Sequence, residues 1–324
     1  MSGSRTGEPA RGSAGGYVHD ALLYDSVDEL TGAAVPFLRE GLAAGDAAVI
    51  AASARTAGVL TEALDEDPRV HVIERSDVYR LRTPTAITAF RRLAERCLAE
   101  GIGRVRVVGE VDFGRTERDW LEWQRYEAVI NVALAAWPLW GLCVFDTQRL
   151  PEQVLTSTLR THPNLATPEG RGSNPLFGDP MRYLRSLPVP PEPLENTPPR
   201  LAAGDVSDFI GLRHAVAAEL ATADAPREVL QDFLVAVDEM TSNALRHGHP
   251  PVDVALWISS DRLVSTISDG GRGWNDPFAG YGPAHGDDLS CGGMGLWLAR
   301  QLCDHLDITH HGGGVTVRLT THLR

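Results

Sequence analysis

Between residues 17 and 160 the chain alternates short, continuously apolar runs with longer stretches of helical periodicity. Apolar side chains at helical spacing predict a helix over 27–42. Gly45-Asp46 marks its stop, and the run 47–52 has the length of a buried strand. The same reading gives helices over 54–64, 85–99, 120–136 and 152–160, with strands over 70–73, 105–108 and 139–145 between them. Strands that are apolar throughout need cover on both faces. The N-terminal half is therefore expected to be an α/β domain with a mostly parallel sheet.

After residue 200 the pattern changes. Helices are expected over 206–220, which presents Arg213 and His214, and over 228–247. Residues 252–258 and 263–267 alternate as a strand hairpin turning at 259–262, and a helix over 296–303 and a strand over 315–319 complete the unit. The segment 163–200 holds about half of the 21 prolines, among them Pro188, Pro190, Pro191, Pro193, Pro198 and Pro199. That composition predicts an extended, semi-rigid spacer. Residues 1–16 are rich in Gly, Ser and Pro without an apolar core, which predicts a disordered tail rather than a signal peptide. The expected organisation is a tail (1–16), a first domain (17–162), a spacer (163–200) and a second domain (201–324).

Composition removes several function classes. The net charge is −13, so there is no electrostatic footprint for nucleic acid or an anionic membrane. Every basic side chain other than histidine is Arg, because the chain contains no lysine. A P-loop, a kinase of the eukaryotic type and Schiff-base chemistry each need that amine, and all three are excluded. Cys97, Cys143, Cys291 and Cys303 form no Cys-x-x-Cys pair and have no zinc-finger spacing, so neither a metal nor a disulfide framework is expected. The most apolar run, 129–145, is interrupted by Asn131 and Pro138 and reads as a helix end followed by a strand, not a membrane span. A soluble, cytoplasmic protein is the expectation.

The stretch 233–248, FLVAVDEMTSNALRHG, carries chemistry on a helical pattern whose apolar stripe is read as Leu230, Leu234, Val237, Thr241/Ala244 and Leu245. Glu239 and Asn243 are four apart and share a face, which His247 continues. A carboxylate beside an amide oxygen can poise a proton acceptor next to a hard-cation ligand. In isolation the same residues describe an amphipathic helix with a solvated polar face. Two further motifs follow, Asp269-Gly270-Gly271-Arg272-Gly273 after an alternating strand and Gly292-Gly293-Met294-Gly295-Leu296 before a helix.

These three motifs in this order resemble the nucleotide-binding boxes of the Bergerat-fold (GHKL) ATPase domain. The string Asp238-Glu239 … Asn243-Ala244 … His247-Gly248 looks like the anti-sigma-factor serine kinase branch. The resemblance implies an α+β two-layer domain that uses ATP and Mg²⁺. It assigns Glu239 as general base, with Asp238 sharing or tuning that role, and Asn243 as the Mg²⁺ ligand. Asp269 would accept the adenine amino group, with Gly271 and Gly273 shaping the floor. Gly293, Gly295 and Leu296 would lie against the phosphates, residues 274–291 would form the ATP lid, and Arg246 or Arg300 would offset phosphate charge. The implied partners are a sigma factor, a STAS-domain antagonist phosphorylated on Ser or Thr, and a second copy of the chain. A non-catalytic, partner-sequestering ATP-binding module and a sensor histidine kinase are the alternatives. The spacer prolines argue against the latter, since they forbid its long helical hairpin. They leave His162 as the one tempting phosphoacceptor.

A second resemblance rests on His19 … Leu23-Tyr24, Pro36-Phe37-Leu38, Gly109-Glu110, Tyr126-Glu127 … Asn131 and Cys143-x-Phe145-Asp146. These are similar to the MEDS sensory domain, a RecA- or KaiC-like fold without an intact P-loop. His19, Tyr24, Glu110, Tyr126, Glu127 and Asn131, with Asp112 and Asp146, could line a sensory pocket. The other reading is that they are capping and solvated surface residues.

Overall fold

The computed structural model describes residues 15–79, 82–273, 276–282 and 294–323. Two compact units divide the chain. The first comprises residues 1–78, 89–112 and 130–177, the second 79–88, 113–129 and 178–324.

In the first half the elements are β1 (Val18–Tyr24), α1 (Val27–Ala44), β2 (Ala47–Ala52), α2 (Ala54–Ala63), β3 (Val70–Glu74), α3 (Arg75–Val78), α4 (Thr83–Ala99), β4 (Val105–Gly109), α5 (Glu117–Ala133), β5 (Leu139–Asp146) and α6 (Glu152–Thr161). The strands form a seven-stranded sheet in the order β3-β2-β4-β5-β1-β6-β7, in which β6 is Asn164–Thr167 and β7 is Gly170–Ser173. Every pairing is parallel except β6 with β7. All six residues of β2 and all five of β4 are buried, as strands covered on both faces must be. Ser26 caps α1 by accepting from the Glu29 amide at 3.3 Å, and Gly45 ends it with φ +82°, a conformation that suits glycine.

Two buried charges in this unit show how polar groups enter the sheet. Arg106 of β4 donates to Asp46 at 2.9 Å, its guanidinium 4.6 Å from the Trp140 ring centre. Asp20 of β1 accepts from Arg171 at 2.6 Å, Trp140 Nε1 at 2.8 Å and Asn164 at 3.0 Å. The proline-rich segment is therefore not a plain extended spacer. It contributes β6 and β7 to the sheet, α7 (Pro180–Ser186) and a short 3₁₀ turn (Pro193–Asn196). Its prolines lie before, between and after these pieces or, as Pro180 and Pro193, at the first position of a helical turn, where no backbone donor is needed.

The second half adds β8 (Leu201–Ala203), α8 (Phe209–Leu220), α9 (Arg227–His247), β9 (Asp253–Ile258), β10 (Arg262–Asp269), α10 (Gly295–Leu302), β11 (His305–His311) and β12 (Gly314–His322). The five strands form an antiparallel sheet in the order β11-β12-β10-β9-β8. Helices α8, α9 and α10 pack on it through one core that includes Val216, Phe233, Val237, Met240, Leu256, Ile267, Ala299 and Val317. A two-layer α+β sandwich results, matching the expected class. The apolar stripe of α9 is rotated from the one expected. Phe233, Ala236, Val237, Met240, Thr241 and Ala244 are buried, whereas Leu245 is exposed. Spacings of three and four select either stripe, and contact with the sheet decides which one faces inward.

On the edge strand β11, Asp307, almost fully buried, meets Arg118 at 2.9 Å, Arg318 at 2.8 Å and Arg125 at 3.5 Å. Burial raises its carboxyl pKa, but the three guanidiniums outweigh that and hold the group below its ordinary value. No helix among the described residues is long and apolar enough to cross a membrane.

Candidate functional site

Helix α9 sets the site because residues four apart face the same way. Asn243 and His247 line a cavity of about 450 Å³, together with Asp269, Arg272, Gly273 and Leu296. Glu239 lies one turn earlier, half-buried and outside that lining. A methyl group built on Gly295 would stand 2.7 Å from Glu239 Oε2 and 3.0 Å from Asn243 Nδ2. The start of α10 thus touches both polar residues of α9, an approach any Cβ would obstruct.

Asp269, the last residue of β10, is fixed by its surroundings. Its Oδ1 accepts from the Gly271 amide at 2.6 Å and the His249 amide at 3.2 Å, so Oδ2 is the oxygen left for a ligand. Gly248 and Gly271 each leave room for this carboxylate, because a Cβ on either would stand 2.5 Å from Oδ1. Gly273 has φ +61° and lies against Val315. Next to Glu239, Asp238 pairs with Arg213 of α8. Burial raises the Asp238 pKa, Arg213 pulls it down, neighbouring Glu239 pushes it up, and the net shift is upward.

The structure brings Glu239, Asn243, Asp269, Gly271, Gly273, Gly295 and Leu296 into one region. Gly293 and most of the expected ATP lid lie outside the described residues. The arginines expected near phosphate are placed otherwise. Arg300 donates to the Ala279, Leu306 and Tyr281 oxygens and stacks over the Tyr281 ring at 4.3 Å. Arg246 is exposed and donates to Ser242 at 2.6 Å. The cation that does line the cavity is Arg272. Its place inside the Asp269–Gly273 motif was the available signal.

The expected sensory residues do not form one pocket. His19 and Tyr24 stand on opposite faces of β1, five residues and so about 17 Å apart. Tyr24 and Glu110 sit at the carboxyl edge of the sheet. There Glu110 accepts from the Ser53 amide at 2.9 Å, and Arg75 reaches Glu110 at 3.5 Å and Asp112 at 3.2 Å. Burial, then Glu110 and Asp146, raise the Tyr24 pKa. Tyr126 and Glu127 are buried on α5, with Tyr126 edge-on to Trp123 at 5.3 Å. Asn131, one turn beyond Glu127, is within 3.1 Å of His19. His162 is fully buried, its Nδ1 2.9 Å from the Thr158 carbonyl, which removes it as an accessible phosphoacceptor.

The sequence matches two family descriptions. "MEDS: MEthanogen/methylotroph, DcmR Sensory domain" covers residues 18–163, and "Histidine kinase-like ATPase domain" covers residues 203–321. The chain thus carries a MEDS sensory domain followed by a histidine kinase-like ATPase domain. Among curated proteins, the serine-protein kinase RsbW of Bacillus subtilis (strain 168) is 31% identical over 105 residues, 29% of this chain and 65% of RsbW. RsbW of Bacillus velezensis gives the same identity and coverage, and that of Bacillus pumilus (strain SAFR-032) is 30% identical over 109 residues, 30% of this chain and 67% of its own length. The chain spans less than two thirds of the first two relatives. A solved structure of the RsbU and RsbW domains of Rv1364c from Mycobacterium tuberculosis aligns over 39% of this chain and 33% of its own at 22% identity, with a TM-score of 0.26, too low to define a common fold.

Proposed function

We propose that this protein is an ATP-dependent anti-sigma regulator that phosphorylates a Ser or Thr of a STAS-domain antagonist and binds a sigma factor, under control of its N-terminal sensory domain. One observation carries the reading: Glu239, Asn243 and Gly295 converge beside the cavity that Asp269 lines. Similarity to RsbW serine-protein kinases supports the reaction class. ATP would supply the phosphoryl group, with Mg²⁺ offsetting phosphate charge.

The donor set fits that ligand. Asn243 offers a hard oxygen donor, and the glycine at the start of α10 admits close approach of phosphate to backbone amides. Asp269 holds the adenine amino group through Oδ2. Arg272 contributes positive charge at the cavity wall in a chain without lysine. Glu239 takes the proton of the attacking hydroxyl. The domain limits 17–162 and 201–324, a RecA- or KaiC-like fold for the first domain, a homodimer and a cytoplasmic location belong to the same proposal.

The test is transfer of labelled phosphate from ATP to a purified STAS-domain antagonist. Acid-stable phosphate on Ser or Thr, lost in Glu239→Gln, is expected. ATP binding without transfer to any antagonist would favour a sequestering module. Acid-labile phosphate on this chain itself would favour a histidine kinase.

A further inference from the structure

Within the first unit, well away in sequence from the nucleotide motifs, three side chains with metal-binding atoms converge. His19 on β1, Cys143 on β5 and His162 at the end of α6 are all buried, and their ligand atoms lie within 4.8 Å of one another. His19 Nε2 is 3.4 Å from Cys143 Sγ. A tetrahedral zinc ion, with Zn–S of about 2.3 Å and Zn–N of about 2.0 Å, holds sulfur and nitrogen about 3.6 Å apart.

The tautomers are set by the surroundings. Asn131 donates its Nδ2 to the Thr161 carbonyl at 2.8 Å, which turns Oδ1 toward His19 Nδ1 at 3.1 Å. An amide oxygen only accepts, so His19 carries its proton on Nδ1 and directs the Nε2 lone pair at Cys143. His162 Nδ1 faces the Thr158 carbonyl at 2.9 Å, so that ring also keeps its lone pair on Nε2. Two imidazoles, each with its other nitrogen tied to a carbonyl oxygen, make the outer shell that orients metal-bound histidines.

We propose that His19, Cys143 and His162 form a binding site for a borderline-soft transition-metal ion of the Zn²⁺ class. A thiolate with two imidazoles disfavours Mg²⁺ and Ca²⁺, which take oxygen donors. Binding displaces the Cys143 thiol proton to solvent, leaving a thiolate–metal bond. It also spreads the two histidine rings, whose centres are 3.8 Å apart, since two imidazoles on one ion stand farther from each other. Asn131 acts as a positioning residue through His19.

The experiment titrates chelator-treated full-length protein with Co²⁺, followed by Zn²⁺ competition. The expected result is saturation near about one ion per chain. A thiolate-to-cobalt charge-transfer band should appear and be bleached by Zn²⁺. Cys143→Ser should abolish the band, Cys97→Ser should leave it, and Asn131→Ala should keep it while weakening affinity about ten- to a hundredfold. A wild type without the band overturns the proposal, and so does a folded Cys143→Ser that retains it. The wild-type spectrum keeps the test decisive if a variant does not fold. The readout is independent of nucleotide binding, so its failure leaves the kinase proposal standing.

Discussion

Replacing Asp269 by asparagine separates the two duties of that side chain. Its Oδ1 holds the Gly271 and His249 amides, and the amide oxygen of an asparagine can hold both. Neutral acceptors are weaker than charged ones, so at this half-buried position the stability cost should be about 1–2 kcal/mol. With the amide oxygen fixed by two backbone N–H groups, the Asp269→Asn variant would present an NH₂ where the wild type presents Oδ2. An adenine amino group then meets a donor instead of a charged acceptor. The lost bond corresponds to about 2–3 kcal/mol, a roughly 30- to 150-fold weaker affinity for ATP. Inosine triphosphate carries a carbonyl at that ring position, so the wild type should reject it and Asp269→Asn should prefer it to ATP. Calorimetric titration of both nucleotides into both proteins checks this. A variant that binds ATP as tightly as the wild type, or a wild type indifferent between the two bases, would refute the assignment of Asp269 to adenine.

Glu239→Gln keeps the volume and removes the base; ATP affinity should stay within about threefold while phosphate transfer falls by about 10²–10⁴. Gly295→Ala places a methyl group 2.7 Å from Glu239 Oε2 and 3.0 Å from Asn243 Nδ2. Those side-chain ends must move, so transfer should drop at least about tenfold while the melting temperature stays level or rises with the better helix former. Asp307→Asn leaves Arg118, Arg125 and Arg318 facing one another without their carboxylate, and should cost about 3 kcal/mol in denaturant unfolding near neutral pH. Because the folded-state pKa of Asp307 is depressed, its stabilisation is complete above the unfolded value of 3.8 and is lost as pH falls through the folded one. The stability gap between wild type and Asp307→Asn should therefore close under acid conditions; a gap that persists unchanged there would contradict the ion cluster.

Elements whose burial follows composition were legible in the sequence. The apolar runs of β2, β4 and β5 and the periodic α1, α2 and α9 lie within a few residues of their expected limits. Two of the missed elements carry buried charge. β1 contains His19 and Asp20, buried because Arg171, Trp140 and Asn164 satisfy the aspartate across the sheet. β11 contains Asp307 and three histidines, and no local pattern announces that three arginines neutralise the aspartate. β8 is three residues long, too short for any periodicity. In the candidate nucleotide site, ordered motifs revealed the residues but not which arginine reaches the cavity, because Arg300 is drawn off by Tyr281 and two carbonyls. The His19–Cys143–His162 cluster has no sequence signature, since its members lie on three elements and meet only through the β1–β5 pairing and the end of α6.

The central claim is that the C-terminal half binds ATP through the α9–β10–α10 residues. Its most direct test is titration of the purified chain with ATP in the presence of Mg²⁺, beside Asn243→Ala. Saturable binding by the wild type that weakens on removal of Mg²⁺ and is lost in Asn243→Ala is the predicted result. A folded wild type that shows no saturable binding, or an Asn243→Ala variant that binds equally well, would contradict it.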